Sequence, residues 1–555
     1  MAGCSVIPIV NFFKKIFLAF TSKERVAFWT IILALLISGT VLLGIIFQKT
    51  TKVVPAEGGE YTEGMVGQPT HINPVLGASD ADKTLVRIMF ADLVSLSEKI
   101  ESERDDRTWR VRLQEGLTWS DGHALTSDDV IFTIQKIQNP ETQSPFFVSW
   151  QGIAVNRLSE LEIQFNLVSS YPLFRENLTG LFPVPKHIFA DTPSANWRLS
   201  EYNLKPVGSG AYKFKSFEKQ ANGFITGYRF ERNPNYAGQE ALIGDLALRF
   251  FVKQGEMLRA FNAGEIDGLA SLDPEFISQI NRPYQATVFR LPNYYAVFLN
   301  QSQNLALKDK SVRNALAWSV DRPALVNDVF GGRAVTVDGP VPPALIGGET
   351  ATAADPSAAA TALDTDGWKV GENGIREKGV KANKIELGFT LTVPQVGFLE
   401  KTAQILQARW AAIGIKTEIR TVPAEEIMGG AIRNRDYQAL LFGNVLNPPA
   451  DLYSFWHSNE RFFPGLNLSL YSNKNADRLI ESTRREADPI KREVGLRELN
   501  RIIYEDYPAV FLYSPDYTMI SNTELRGITS AFILDASDRL RQASVWHLRT
   551  TRAIK

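Results

Sequence analysis

Cysteine occurs once in this 555-residue chain, at Cys4, so nothing beyond the N-terminus can form a disulfide. Histidine occurs five times, as His71, His123, His187, His457 and His547. None of these has i,i+4 or His-Glu-x-x-His spacing, so a local zinc motif is absent and no metal or other cofactor is expected. Surplus charge is lacking too. Lys and Arg number 60 against 61 Asp and Glu, a net charge of −1, which leaves no basic footprint for nucleic acid. There is no Gly-x-Ser-x-Gly elbow of the α/β-hydrolase kind. Gly208-Ser-Gly210 is not followed by Gly-Lys-Ser/Thr, which excludes a P-loop and leaves a tight turn. The paired acids Asp105-Asp106 and Asp128-Asp129 stand at loop or helix starts, where they read as solvated surface rather than a catalytic dyad. No catalytic centre is evident.

What is present is one long run without charge, Val26 to Phe47. As a helix it spans roughly 33 Å, matching the ~30 Å hydrocarbon core of a bilayer. Lys14, Lys15, Lys23 and Arg25 precede it, and Lys49 and Lys52 follow. That excess favours an N-terminus inside and the long C-terminal part outside. The run is longer than a signal-peptide core, and Gly44-Ile-Ile-Phe47 offers no small-x-small cleavage site. An uncleaved single-pass anchor in the cell membrane is expected, with residues 1–25 as a cytoplasmic tail. Val6–Phe20 reads equally as a helix on the inner membrane surface or as an unstructured tail. Cys4 would face the cytoplasm, palmitoylated or as a tolerated thiol. Residues 48–59, with Pro55, Gly58 and Gly59, read as a tether.

The remaining 500 or so residues have ordinary globular composition, enough for two or three domains. Thr84–Val94 has helical spacing. Trp109–Leu113 alternates as a half-buried strand, and Thr126 with Asp129 marks a helix start that Asn139-Pro140 ends. Further alternating runs cover 212–217, 224–231 and 246–252. A helix around Met257–Phe261 and a strand at Ile266–Leu269 complete a βαβ unit. Lys310–Phe330 reads as one helix. Asp355-Pro356 opens a short helix to about Leu363. The clearest pattern follows: strand Lys384–Val393, helix Leu399–Ile413 stopped by Gly414, and strands Ile415–Val422 and Tyr437–Phe442. A final helix, Asn475–Tyr504, leads to a strand at Ala509–Tyr513. Parallel strands covered by helices are expected.

Several motifs together closely resemble the family 5 extracellular solute-binding proteins, the dipeptide- and oligopeptide-binding components of ABC importers. They are Leu113–Phe132, with its Trp-Ser-Asp-Gly core, and Pro206-Val-Gly-Ser-Gly-Ala-Tyr212. Arg232-Asn-Pro-Asn-Tyr236, Gly264-Glu-Ile-Asp267, Val312–Arg322 and Ala412-Ile-Gly-Ile415 keep the family order. The resemblance covers roughly Glu60 to Ser514. It implies an α/β, two-lobe periplasmic-binding-protein-like fold with a hinge and an extra inserted subdomain, preceded by the membrane helix. Lobe 1 would hold 60–294, with residues 91–200 inserted, and 516–555. Lobe 2 would hold 295–515. It implies a non-enzymatic receptor that closes over a peptide or peptide-like solute and delivers it to ABC permease subunits. Nickel-chelate or oligosaccharide binding, or a sensor or scaffold role, are the alternatives.

Ligands in open α/β sheets bind beyond the carboxyl ends of strands. The resemblance places Gly77, Ser79 and Asp80 in the ligand-facing loop of lobe 1. In lobe 2 it points to Phe442, Asn444, Asn447, Trp456 and Tyr513. Family peptide binders hold the ligand's amino terminus with an aspartate where this chain has Asn444, a neutral acceptor instead of a charged one. The expectation is a ligand without a free ammonium there, or one met by another acid, Asp80, Asp82 or Asp451. No metal ligands are expected.

Overall fold

Helix α1, Ser22–Thr50, starts on a capping box in which Thr21 and Glu24 bond each other's backbone N–H. It has no buried residue and is long and apolar enough to cross a membrane. The computed structural model describes residues 19–554 except 104, 348–352, 380–383, 425, 447–450 and 530–531. Cys4, Lys14, Lys15, nearly all of Val6–Phe20, and Asn447 lie outside the described residues.

The stretch read as a tether is not one. Strand β1, Thr51–Ala56, follows α1 directly and pairs antiparallel with the C-terminal strand Arg549–Ile554, Thr51 opposite Ile554. Arg552 fastens the junction. Its Nη1 donates to Thr51 Oγ1 (3.1 Å), and its guanidinium lies 5.5 Å from the Phe47 ring centre. Pro55 is tolerated because a two-stranded ribbon is all edge. Nothing local to residues 48–59 could reveal a partner at the other end of the chain.

Lobe 1 opens with β2 (Glu60–Val66) and α2 (Asp80–Met89). The inserted unit follows: β3 (Ser97–Ser102), β4 (Thr108–Leu113), α3 (Ser127–Gln138), β5 (Ala154–Arg157) and β6 (Glu162–Asn166), its strands in the order β3-β4-β6-β5. The chain returns through β7 (Tyr212–Lys219), β8 (Ile225–Arg232), β9 (Asp245–Phe251), α4 (Gln254–Asn262), β10 (Gly268–Leu269) and β11 (Gln285–Phe289). The Gly-rich turn before β7 must be Gly-rich. A Cβ on Gly208 would lie 1.9 Å from Met89 O, because this turn folds against the end of α2.

Lobe 2 runs through β12 (Asn293–Leu299), α5 (Lys310–Trp318), α6 (Arg322–Phe330), β13 (Ala334–Thr336) and α7 (Pro356–Thr365). A small sheet of β14 (Lys369–Val370), β15 (Arg376–Lys378) and β16 (Ile385–Glu386) comes next. Then come β17 (Gly388–Pro394), α8 (Gly397–Ala412), β18 (Lys416–Val422), β19 (Ala439–Val445), α9 (Lys474–Arg485), α10 (Pro489–Asp506) and β20 (Ala509–Pro515). β21 (Tyr517–Ser521) re-enters lobe 1 and β22 is Arg549–Ile554. The lobe-1 sheet has the order β11-β21-β10-β2-β9-β8-β7, and lobe 2 has β13-β20-β12-β19-β17-β18. β2, β9 and β10 run parallel, as do β17, β18 and β19.

Three expected helices are divided. Ser319–Asp321 separates α5 from α6, and Asp321 caps the second with Pro323 in its first turn. Asp488 and Pro489 start α10 in the same way, splitting the expected Asn475–Tyr504 helix. The Thr84–Val94 pattern is the end of α2 plus a short helix, Leu93–Leu96, capped by Asp92. Asp129 is not solvated surface. It is 4 % exposed, and its carboxylate accepts from the N–H groups of Thr126 (2.9 Å) and Lys186 (2.8 Å).

The lobe-2 sheet is buried on both faces. Val297 and Leu299 of β12 enter one core with α5, α6 and α8, whereas Tyr294, Ala296 and Phe298 enter another with α9 and α10. This alternation requires Tyr294 to belong to β12, where it pairs with Asn444. The expected lobe boundary at 294/295 therefore moves back, to 290–292.

Candidate functional site

The chain passes between lobes at 290–292 and again at Asp516. Both crossings sit side by side. Arg290 Nη1 donates to Asp516 Oδ1, and Asp516 N–H donates to Arg333 O (3.1 Å). Burial holds the Arg290 guanidinium below its ordinary range.

On the lobe-2 side, the loop after β19 is pinned to the hinge. Leu446 N–H donates to Pro292 O (2.7 Å), and Ser514 Oγ donates to Asn293 Oδ1 (2.9 Å). Asn444, 3 % exposed, donates its Nδ2 to Tyr294 Oη (2.8 Å), and Trp456 Nε1 donates to the same oxygen (2.8 Å). One phenol thus organises both residues, and burial raises its own pKa well above the ordinary value. Asn444 Oδ1 meets no donor among the described residues. Trp456 is fully buried against Phe298, Tyr471 and Phe511. Tyr513 is also fully buried, with its hydroxyl on Thr402 Oγ1 (2.7 Å) and its ring against Tyr295 and Phe330. In this conformation neither ring presents surface to a ligand; both pack inside lobe 2. Phe442 is half-buried on β19.

On the lobe-1 side, the loop after β2 is held rigidly. Asp82, 1 % exposed, accepts from Thr70 N–H (2.7 Å), His71 N–H (2.8 Å) and Thr70 Oγ1 (3.0 Å). With Ser79 it also forms the capping box of α2. Asp82 is therefore committed to structure. Gly77 is buried. Its N–H donates to Asn73 O (2.7 Å), and a Cβ there would lie 2.9 Å from His71 O. Ser79 and Asp80 are exposed. Asp80 meets no cation or donor among the described residues. Its charge reaches Tyr517, the residue after the hinge aspartate, whose hydroxyl is pushed up mainly by burial. Asp451 is also spoken for: Oδ1 accepts from Tyr453 N–H (3.0 Å), and Oδ2 lies 3.1 Å from Arg484 Nε.

A second contact between lobes was not legible in the sequence. Tyr171 of the inserted unit faces Arg484 of α9, the guanidinium 5.9 Å from its ring centre and 4.7 Å from that of Tyr453. Together with Ser169, Ser170 and Glu481 these residues line a cavity of about 220 Å³. Burial, assisted by the Asp451 charge, pushes the Tyr171 hydroxyl up to about 12. No local signal marks Tyr171 or Arg484; only docking of the two units brings them together.

Comparison with known proteins fits this geometry. The family model for bacterial extracellular solute-binding proteins, family 5, matches residues 95–462. The oligopeptide-binding protein AppA of Bacillus subtilis is 26 % identical over 501 residues, covering 85 % of this chain and 89 % of AppA. The structure of AppA with a nonapeptide superposes with a TM-score of 0.69 at 24 % identity, covering 89 % of this chain and all of that one. The ABC transporter substrate-binding protein CtaP of Listeria monocytogenes gives a TM-score of 0.75 at 22 % identity, over 89 % of this chain and 99 % of CtaP. With its two lobes, double hinge crossing and inserted four-stranded unit, the chain belongs to the family 5 bacterial extracellular solute-binding proteins.

Proposed function

We propose that this protein is a membrane-anchored receptor that captures peptides or peptide-like solutes outside the cell membrane and hands them to the permease subunits of an ABC importer. The observation that carries the reading is that each lobe brings a segment to the hinge: the Asp80 charge acts on Tyr517 beside Asp516, and the loop after β19 bonds to Pro292. The loop after β2 ends at Ser79 and Asp80; the loop after β19 is tied to Pro292. The oligopeptide binding named for AppA, which aligns over 85 % of this chain, supports the ligand class. The work is binding and lobe closure, with no covalent step. α1 serves as the uncleaved single-pass anchor, its basic flank at Lys23 and Arg25 inside.

Gly77 supplies close backbone approach, and Ser79, Asp80, Phe442 and Asn444 meet the solute. Asn447, three positions after Asn444 in the sequence, is assigned to the solute by the same resemblance. Trp456 and Tyr513 shape the lobe-2 wall from behind. Asp82 and Asp451 have other partners, so Asp80 is the acid that meets a ligand ammonium, and Asn444 Oδ1 offers a neutral acceptor. Native mass spectrometry of the full chain in detergent micelles tests the reading. A released ladder of peptide masses is expected; protein that carries nothing and binds nothing from a peptide pool would overturn it. Acetylating a bound peptide's amino terminus should weaken it less than about tenfold, because the acid that meets it, Asp80, is exposed and position 444 holds no carboxylate.

A further inference from the structure

The inserted unit carries a group of side chains that capture of a solute does not use. His123 and His187 stack with ring centres 4.1 Å apart and planes 20° from parallel. Asp121 stands at their edges. Its Oδ2 is 2.8 Å from His187 Nε2, and its Oδ1 is 3.3 Å from His123 Nδ1. One ligand atom from each of the three residues lies within 4.8 Å of the others. We propose that Asp121, His123 and His187 form a binding site for a first-row transition-metal dication of the Zn²⁺ kind.

Both arms of the site are fixed before any ion arrives. Asp121 and His123 sit in a turn closed by Trp119 N–H on His123 O (2.8 Å), Gly122 N–H on Trp119 O (2.9 Å) and His123 N–H on Asp121 Oδ1 (3.1 Å). His187 stands on the short helix Lys186–Phe189, whose start is anchored by the bond from Lys186 N–H to buried Asp129. The sequence separation of 66 from Asp121 to His187 is why no spacing rule found the group.

The donor set selects the ion. Two imidazole nitrogens and one carboxylate oxygen suit Zn²⁺, Co²⁺, Ni²⁺ or Cu²⁺, whereas Mg²⁺ and Ca²⁺ need mostly oxygen. Now each ring edge can satisfy the carboxylate only with an N–H. A dication takes the place of those two protons and neutralises the carboxylate at once. Three protein ligands leave at least one position for water. His123, with 63 % of its side chain exposed, keeps that side open to exchange. The site is a surface clamp between the 118–124 turn and the 185–189 segment, independent of the hinge.

The test is titration calorimetry of the full chain in micelles, purified with a tag free of histidine and carrying Cys4→Ser. Zn²⁺ and Mg²⁺ serve as probes, and Co²⁺ as the spectroscopic reporter. One equivalent of Zn²⁺ should bind, Mg²⁺ should not, and Co²⁺ should give visible bands of nitrogen and oxygen coordination. His123→Ala and His187→Ala, both at the surface, should each weaken Zn²⁺ at least about tenfold, the loss that removing even an outer partner of a ligand brings. Absence of Zn²⁺ binding to the otherwise native chain, or binding unchanged in both variants, would overturn the proposal. Peptide capture does not enter either readout.

Discussion

Arg290 and Asp516 bind each other across the two strands that join the lobes, guanidinium Nη1 to carboxylate Oδ1. Asp516 keeps 8 % of its side chain exposed and Arg290 41 %, so one partner is nearly dry and the other half-wet. Each comes from a different crossing, so the pair locks the separation of the crossings without fixing the angle between lobes.

Arg290→Ala should therefore act mainly through the carboxylate left behind. An unpaired, nearly buried Asp516 costs about 1–3 kcal/mol. Urea unfolding of the full chain in micelles reads this loss, and calorimetry should show ligand binding several-fold weaker. Unchanged values for both would mean that the backbone alone holds the crossings together.

Tyr294→Phe removes one oxygen but strands two donors, Asn444 Nδ2 and Trp456 Nε1, inside the lobe-2 core. Each unsatisfied buried donor carries a penalty of about 1–3 kcal/mol, so a loss of about 2–6 kcal/mol is expected. A shifted Trp456 fluorescence maximum should accompany the lower melting temperature. A loss under about 0.5 kcal/mol would show that water replaces the phenol.

Acid should loosen lobe 1. Burial opposes ionisation of Asp535, but the Ser537 hydroxyl and N–H and the Arg87 and Lys83 charges outweigh it and hold its carboxyl below the ordinary 3.8. In lobe 2 the Lys378 ammonium, with Ser311, does the same for Asp366 against a smaller burial effect. Between the folded and unfolded values the unfolded chain binds more protons, so stability rises with pH there. The contribution is present above about pH 4 and drains as pH falls further. Urea midpoints at several pH values should flatten below pH 4 for Asp535→Asn relative to the native chain.

Removing Arg549–Lys555 unpairs Thr51–Ala56 and frees the chain between α1 and Glu60. Trypsin should then cut at Lys52 several-fold faster, while melting of the lobes and ligand affinity stay as they were. Cleavage at the native rate would mean that the ribbon does not shield the junction.

Much of the fold was legible because its signals are local. The alternation from Leu387 to Val393, the four- and three-residue spacing from Leu399 to Ile413 and the stop at Gly414 appear as β17, α8 and β18, whereas Ile385 and Glu386, read as the start of the same strand, form β16 of the small sheet. Where a local signal was passed over, the element came out wrong. Asp321 with Pro323, and Asp488 with Pro489, each announce a helix start inside what was read as one helix. The candidate site was legible only as far as family motifs reach. Asn444 stands near the end of β19, but that its amide would be turned toward Tyr294 depends on a residue 150 positions away.

The apolar span from Val26 to Phe47, the absence of disulfides beyond Cys4, the alternation of strands and helices and the motifs of the family could all be read from the residues in order. Periodicity, composition and turn chemistry act within one or two turns of chain, so they are written there. It took the folded chain to show that residues 51–56 pair with the strand Arg549–Ile554, that Asp82 and Asp129 are buried caps, that Trp456 and Tyr513 face inward, and that Asp121, His123 and His187 meet. Those outcomes follow from which surfaces pack together, and packing joins residues that no local pattern connects.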